Sequence, residues 1–305
     1  MPKKEKARIR NWGKYNKALV SRGSLTLWFE PEALKNWHGE KTGSRGRPCK
    51  YGNAAILCML MIKGIFKFDL RRTQGFVMSL MDLLGINLEV VSYTQLSRRQ
   101  SKVKLPDLPV KEEHIHMVMD STGLKIYGEG EWLVRQHGYS KRRTWRKFHI
   151  GVDVKSQEVV CAELTANDCG DDKLLPTLLN SYKGELSQVS ADGAYDSHAC
   201  YEEIVSRGAR PTIPPQANSK HKPKQEEQLK KARDFVVWEA QKMGLKEWKK
   251  SSGYHKRSLV ETAFFRFKQL LGDKLSARNF DKQQVEAKLR CHLLNKMTAL
   301  GMPTY

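Results

Sequence analysis

The 305-residue chain carries 54 Lys and Arg against 33 Asp and Glu, a formal charge of +21, in an otherwise ordinary globular composition of 40% hydrophobic and 29% charged residues. That length allows a well-buried core and a smaller second domain, and the lack of low-complexity tracts or internal repeats excludes disordered and solenoid classes. A positive field of this size favours a polyanion, because each neutralised phosphate releases counterions. Nucleic acid is therefore the expected partner, and no long amphipathic segment is present to seat the chain on a membrane.

In chain order, the leading cations Lys3, Lys4, Lys6, Arg8 and Arg10 are followed by no apolar run, so no secretory signal is expected. Six cysteines without metal-ligand spacing read as reduced cytosolic thiols, which predicts a cytoplasmic protein. Residues 1 to about 50 are basic and turn-rich. Within them Arg45-Gly-Arg-Pro48 suits either a DNA minor groove or a plain loop. The run from Ala54 to Phe66, interrupted by Lys63 and Gly64, is too short to span a bilayer and predicts a buried helix over Asn53 to Phe66. Helices over Asp69 to Leu84 and Ser92 to about Val103 follow, with Asp69 as a cap and Ser92 with Gln95 as a capping box. The last two suggest a helix-turn-helix within 69–103, reading DNA with Tyr93, Thr94, Gln95, Arg98, Arg99 and Gln100. Their connection is longer than usual, so a simple helical packing domain fits as well. Leu105-Pro-Asp-Leu-Pro109 reads as a linker closing a basic, mainly helical, DNA-binding domain over residues 1–110.

Beyond the linker the period changes. Strands are predicted over His114 to Met119, Glu131 to Gln136, Arg146 to Val154 and Glu158 to Thr165, and the succession reads as an antiparallel meander. A helix from Asp171 to about Tyr182, a strand from Ser187 to Ala191, a helix from Ser197 to Arg207 and a strand from Arg210 to Ile213 come next. A helical insertion over 223–250, a helix through Tyr254 to Lys268 and another from Gln283 to Leu300 complete the chain. The expected fold class is α/β: a ribonuclease-H-like mixed sheet flanked by helices over 111–305, preceded by the smaller all-α domain.

Two carboxylates take equivalent places. Asp120 is expected at the end of the first strand, before Ser-Thr-Gly, and Asp192 at the end of a later one, before Gly193. Groups at the carboxyl ends of adjacent strands converge on one crevice. On a helix, Tyr254, Arg257, Glu261 and Lys268 fall within about 60° of one another, opposite an apolar face. Three carboxylates with no His or Cys favour hard cations, Mg²⁺ or Mn²⁺. Two such ions could stabilise the attacking and leaving oxygens of a displacement at phosphorus. Arg257 and Lys268 would then hold the phosphodiester, and Tyr254 would contact a phosphate or a base. Taken singly, each Asp is also a common turn former. Asp153 competes from a predicted strand, and Asp168, Asp171 and Asp172 read as caps of the following helix. The basic stretch Arg135 to Lys147, with Arg142, Arg143 and Trp145, suits either a DNA-gripping hairpin or a protected sheet edge. Arg207, Arg210, Lys220, Lys222 and Lys224 would extend the same track.

Asp120 in Met-Asp-Ser-Thr-Gly-Leu-Lys, Asp192 in Ala-Asp-Gly-Ala-Tyr-Asp, and the Tyr254–Arg257–Glu261–Lys268 spacing resemble bacterial insertion-sequence transposases of the DDE class. Trp12-Gly-Lys-Tyr-Asn and Gly46-Arg-Pro-Cys-Lys-Tyr-Gly resemble the insertion-sequence-five branch. The resemblance implies a catalytic domain whose Asp120, Asp192 and Glu261 hold two Mg²⁺ or Mn²⁺ ions. It also implies binding to terminal inverted repeats and target DNA, a homodimeric synaptic complex, a nucleoid-associated location, and cleavage that frees a 3′-hydroxyl for strand transfer. A nuclease or resolvase of the same fold without strand transfer, or an inert DNA-binding regulator, would share these features in part.

Overall fold

The computed structural model describes residues 8–29, 31–39, 49–126, 145–216, 219 and 232–304. The chain divides into two compact units, one formed by Asp107–Arg278 and the other by Met1–Pro106 with Asn279–Tyr305. The predicted strand over Glu131 to Gln136, the Arg45 element, Arg142 and Arg143, and Lys220, Lys222 and Lys224 lie outside the described residues.

The first unit is helical: α1 (Trp12–Ser21), α2 (Leu25–Trp28), α3 (Pro31–Lys35), α4 (Asn53–Phe66), α5 (Leu70–Leu83) and α6 (Tyr93–Arg99). Helix α4 is buried around most of its circumference, as its apolar run over Ala54 to Ile62 requires. Asp69 caps α5 by accepting the Arg72 N–H, and Ser92 caps α6 by accepting the Gln95 N–H. Helix α6 is only seven residues long, and its basic end is partly structural. The Arg99 guanidinium donates to the Tyr51 carbonyl, and Gln100 is buried with its amide donating to the Lys282 carbonyl. These two side chains therefore differ from the surface role expected of them, whereas Tyr93, Thr94, Gln95 and Arg98 are exposed.

The C-terminal helix also departs from expectation. The sequence places everything from 111 to 305 in one domain, but Phe280–Ala299 packs with the first unit against α4. It buries charge as well as apolar surface: Arg290 donates to Glu286 at 2.7 Å, and Lys63 of α4 lies 3.9 Å from Glu286. No long apolar stripe announces this helix as a core element, because its burial runs nearly all round.

The second unit is built on β1 (Ile115–Ile126), β2 (Trp145–Asp153), β3 (Val159–Thr165), β4 (Leu186–Ser190) and β5 (Arg210–Thr212) in the order β3-β2-β1-β4-β5. The pairs β1–β2 and β2–β3 are antiparallel, while β1–β4 and β4–β5 are parallel. The helices of this unit are α7 (Asp171–Ser181), α8 (His198–Ser206), α9 (Ala232–Met243), α10 (Leu245–Ser251) and α11 (Ser258–Leu271). A two-residue strand, β6 (Lys274–Leu275), pairs with the far end of β1. The mixed sheet flanked by helices expected of this part of the chain is present.

Strand alternation sends successive β1 side chains to opposite faces. Ile115, Met117 and Met119 join the core formed with Leu174, Leu175, Leu178, Tyr201 and Ile204 of α7 and α8. The other face is covered by α11, where Phe267 packs on Phe148 of β2 with ring centroids 5.3 Å apart.

Beside the sheet centre, the His116 ring lies 2.8 Å from the Ser190 hydroxyl. Burial, reinforced by Lys256 against the pull of Asp153, presses this imidazole from its ordinary value to about 4. Between pH about 6.5, where an unfolded histidine titrates, and 4, the unfolded chain binds a proton that the folded chain refuses. Stability contributed by neutral His116 is thus present above that window and lost as pH falls through it. His116→Gln is expected to flatten the urea-midpoint profile between these pH values, and an unchanged slope would remove His116 as its source.

Candidate active site

In the parallel ladder Val118 of β1 faces Ser190 of β4. Two residues further, Asp120 and Asp192 stand level. Strand β4 has ended there, whereas β1 continues to Ile126 against β2. Asp120 is therefore mid-strand rather than terminal, contrary to the sequence expectation. The crevice arises because its parallel neighbour leaves the sheet first.

The turn Gly193–Tyr195 follows immediately, and Asp192 accepts the Ala194 N–H at 3.0 Å. Asp120 accepts the N–H of Ser121 at 2.7 Å, and its side chain is 18% exposed.

The stretch expected as a single helix is a 3₁₀ turn, Tyr254–Arg257, running into α11. The functional face survives the change of winding. Arg257 donates to Asp120 at 2.8 Å and also to Glu261, one turn along, so its guanidinium bridges the two carboxylates. Glu261 is 56% exposed and turned away from the apolar interior. Lys268 donates to the Thr122 hydroxyl at 2.7 Å, which places it on the same face of β1 as Asp120. The ring of Tyr254 lies beneath Arg257 and Lys249, at 5.8 and 5.3 Å, and edges towards Trp248.

The electrostatics are those of an acidic site short of positive charge. Burial raises the Asp120 carboxyl above its ordinary range, and Asp192 and Glu261 push it further, while the Ser121 N–H and Arg257 oppose them. Burial likewise raises the Tyr254 hydroxyl, with Asp192 and Asp120 adding to the effect and Arg257 opposing it. A hard cation would relieve this repulsion, and the donor set is all oxygen. Among the described residues no group of three or more His, Cys, Asp and Glu is closed into a metal-binding cluster. The Arg257 guanidinium bridges Asp120 and Glu261.

Three neighbouring residues have roles that the sequence reading assigned otherwise or missed. Asp171 opens α7 but makes no side-chain cap. It accepts from Lys147 at 2.8 Å and lies 3.2 Å from Nδ1 of the fully buried His149. Burial would raise this carboxyl, but hydrogen bonds from His149, Lys147 and Ser121 outweigh it and hold it at about 2. It anchors the reverse side of β1, directly behind Asp120. Asp196, the second acid of the Asp192 motif, is wholly buried and paired through both oxygens with Arg233 at 2.7 and 2.9 Å. Tyr195, between them, is fully buried. The spacing Asp-Gly-Ala-Tyr-Asp was the available signal for both.

The competing carboxylate is a structural one. Asp153 is buried at the end of β2, accepting the N–H groups of Lys155 and Ser156 in the turn that follows. Arg207 leaves the proposed basic track, because its guanidinium donates to the carbonyls of Leu179, Tyr182 and Gly184 and closes the end of α7. Trp145 begins β2 with its ring over Gly123, where an added Cβ would come within 3.1 Å of it, and Lys125 sits 5.4 Å from the ring. Its indole is packed on β1.

Comparison with known proteins adds family membership to this geometry. A family model described as "Transposase DDE domain" matches residues 20–129, and a second of the same description matches residues 111–296, more than half of the chain. A solved piggyBac transposase synaptic complex with hairpin DNA is similar at a TM-score of 0.38 and 9% identity, over 92% of this chain and 75% of that one. No described helix is long and apolar enough to cross a membrane. With its mixed sheet, level aspartates and matched domain, the chain belongs to the DDE transposase-domain family and is a divalent-metal-dependent enzyme of DNA cleavage and strand transfer.

Proposed function

We propose that Asp120, Asp192 and Glu261 are the catalytic carboxylates and together hold two Mg²⁺ or Mn²⁺ ions. The observation that carries this reading is the register that brings Asp120 of β1 level with Asp192 just past the end of β4, with Glu261 tied to Asp120 through Arg257. When bound, the cations supply Lewis-acid stabilisation to the attacking and leaving oxygens of an in-line displacement at phosphorus.

The protein side of the reaction follows from position. Asp120 and Asp192 would hold the cations from the sheet, and Glu261, exposed on α11, would complete the set. Were Asp120 and Glu261 engaged by cations, the Arg257 guanidinium that bridges them would be left to meet a phosphate in its planar, two-pronged geometry. Lys268, on the same face, contributes a second phosphate contact, and Tyr254 holds Arg257 from below.

The first unit is proposed to bind DNA, with the exposed Tyr93, Thr94, Gln95 and Arg98 of α6 as its contacts. Arg71 stacks over Tyr93 at 4.5 Å, and the Tyr93 N–H donates to Gln74 at 2.8 Å, which fixes the start of α6 on α5. The substrate is proposed to be the terminal inverted repeats of an insertion sequence of the insertion-sequence-five type, brought together by a homodimer.

The test is a joining assay in Mg²⁺ with the DNA ends that flank the coding region. Intact ends are expected to be cut so as to free a 3′-hydroxyl, and precut ends to be inserted into a target plasmid. Equal cleavage of scrambled ends would refute the inverted-repeat substrate. Cutting without any insertion of precut ends would leave only a nuclease.

A further inference from the structure

Residues 8–29 hold five cations, Arg8, Arg10, Lys14, Lys17 and Arg22, and no acidic residue. Within them lies α1, which begins with the Trp12-Gly-Lys-Tyr-Asn motif and has no part in the reaction chemistry above. Of this helix only Ala18 is buried. Tyr15 and Arg22, in a cation–π contact at 5.9 Å, are half-buried on its inner side. Both ends are fixed to the C-terminal segment. Asn11 donates to the Met302 carbonyl and accepts the Thr304 N–H, each at 2.9 Å, and the Arg10 N–H donates to the Thr304 carbonyl at 2.7 Å. At the other end Arg22 donates to the Gly301 carbonyl at 3.4 Å. The helix is thus held firmly while most of its surface is left outside.

That outer face carries Trp12, 56% exposed, and Val20, 72% exposed, together with the exposed Lys14, Asn16 and Lys17. At roughly 100° per residue these side chains span an arc of about 200°, and Gly13 falls at its middle. Glycine weakens a helix relative to alanine. Here its φ is not positive, and an added Cβ would meet nothing within 4 Å. The fold makes no demand for a glycine at this place, whereas a partner lying close against the helix would.

Charge and size identify the partner. A ten-residue helix is about 15 Å long, and the major groove of DNA, about 12 Å wide, admits an α-helix. Lysines at the rim suit phosphates, the Asn16 amide suits bidentate pairing with an adenine edge, and Val20 suits a thymine methyl. A second copy joined by two-fold symmetry would set this cationic face against its own like charge.

We propose that α1 is a DNA-reading helix laid in the major groove, with Gly13 permitting close approach, Asn16 and Val20 directed to base edges, and Lys14 and Lys17 on phosphates. The inference rests on terminal inverted repeats being the substrate and adds an element that tells those ends from other DNA.

The experiment measures binding of the full chain by fluorescence anisotropy, without divalent metal, to duplexes copied from the ends that flank the coding region and to scrambled duplexes. Gly13→Ala, Asn16→Ala and Lys17→Ala are compared with wild type, alongside thermal melting and sedimentation of the DNA-free proteins. Asn16→Ala is expected to bind the ends about tenfold more weakly and scrambled DNA as wild type does. Lys17→Ala should weaken both duplexes alike and lower the salt slope by about one. Gly13→Ala should melt at the same or a higher temperature yet bind the ends about tenfold more weakly, a combination that a merely structural glycine would not give. Wild-type preference for the ends, retained in full by Gly13→Ala and Asn16→Ala, would overturn the proposal and leave the inverted-repeat reading intact. Self-association of the DNA-free wild type that is lost in Gly13→Ala would overturn it by assigning this face to a second copy. Equal affinity of wild type for ends and scrambled DNA would remove the inverted-repeat reading, and the proposal with it.

Discussion

Asp120→Asn is expected to slow single-turnover DNA cleavage in Mg²⁺ by about 10³-fold or more without weakening the fold. The size follows from chemistry: Lewis-acid stabilisation of the transition state is worth several kcal/mol, and each 1.36 kcal/mol is tenfold in rate. An amide keeps the shape and can still accept the Ser121 N–H, but it removes the charge that a hard cation requires. Stability should move the other way. Asp120 is pushed towards its neutral form by burial and by Asp192 and Glu261, so replacing it with a neutral side chain relieves repulsion. Arg257 keeps Glu261 as its partner. A cleavage rate within a few-fold of wild type, or a urea midpoint that drops sharply, would mean that Asp120 serves the fold rather than the reaction.

The second large effect is structural. Asp196→Ala is expected to destabilise the second unit by roughly 3–5 kcal/mol, the usual consequence of stranding one member of a buried ion pair. The Asp196 carboxylate is 0% exposed and accepts from Arg233 twice, from the Gln216 N–H at 2.9 Å and from the Ser219 hydroxyl at 3.0 Å. Burial would raise its carboxyl, yet these bonds hold it below its ordinary range. Removing Arg233 as well, as Asp196→Ala with Arg233→Met, should recover part of the loss because no buried charge is left alone. Equilibrium urea unfolding of the single and double variants checks this. Equal stability of wild type and Asp196→Ala would show that the pair contributes nothing net.

The features legible in the sequence are those set by local chemistry. Asp69, Ser92 and Ser197 each cap the helix expected after them, because a short polar side chain before an apolar period has one favourable use there. The Tyr254–Lys268 face was readable because Arg257 and Glu261 are one turn apart and pair whether the first turn is 3₁₀ or α. The features not legible depend on partners distant in the chain. Nothing near Asp171 reveals that Lys147 and His149, more than twenty residues away, claim its carboxylate in place of a cap. Arg207 looks like one more surface cation until the carbonyls ending α7 are brought beside it. The extension of β1 past Asp120 is decided by its pairing with β2 and β6, not by its own residues.

A crystal of the protein grown with Mn²⁺ and examined by anomalous scattering tests the central claim most directly. The expected map has Mn²⁺ bound by both Asp120 and Asp192, at distances near the roughly 2.1 Å of hard divalent ions with oxygen, with Arg257 withdrawn from Asp120. A map showing the Arg257 bridge intact and no Mn²⁺ on either aspartate, in crystals of protein that cleaves DNA with Mn²⁺, would contradict it.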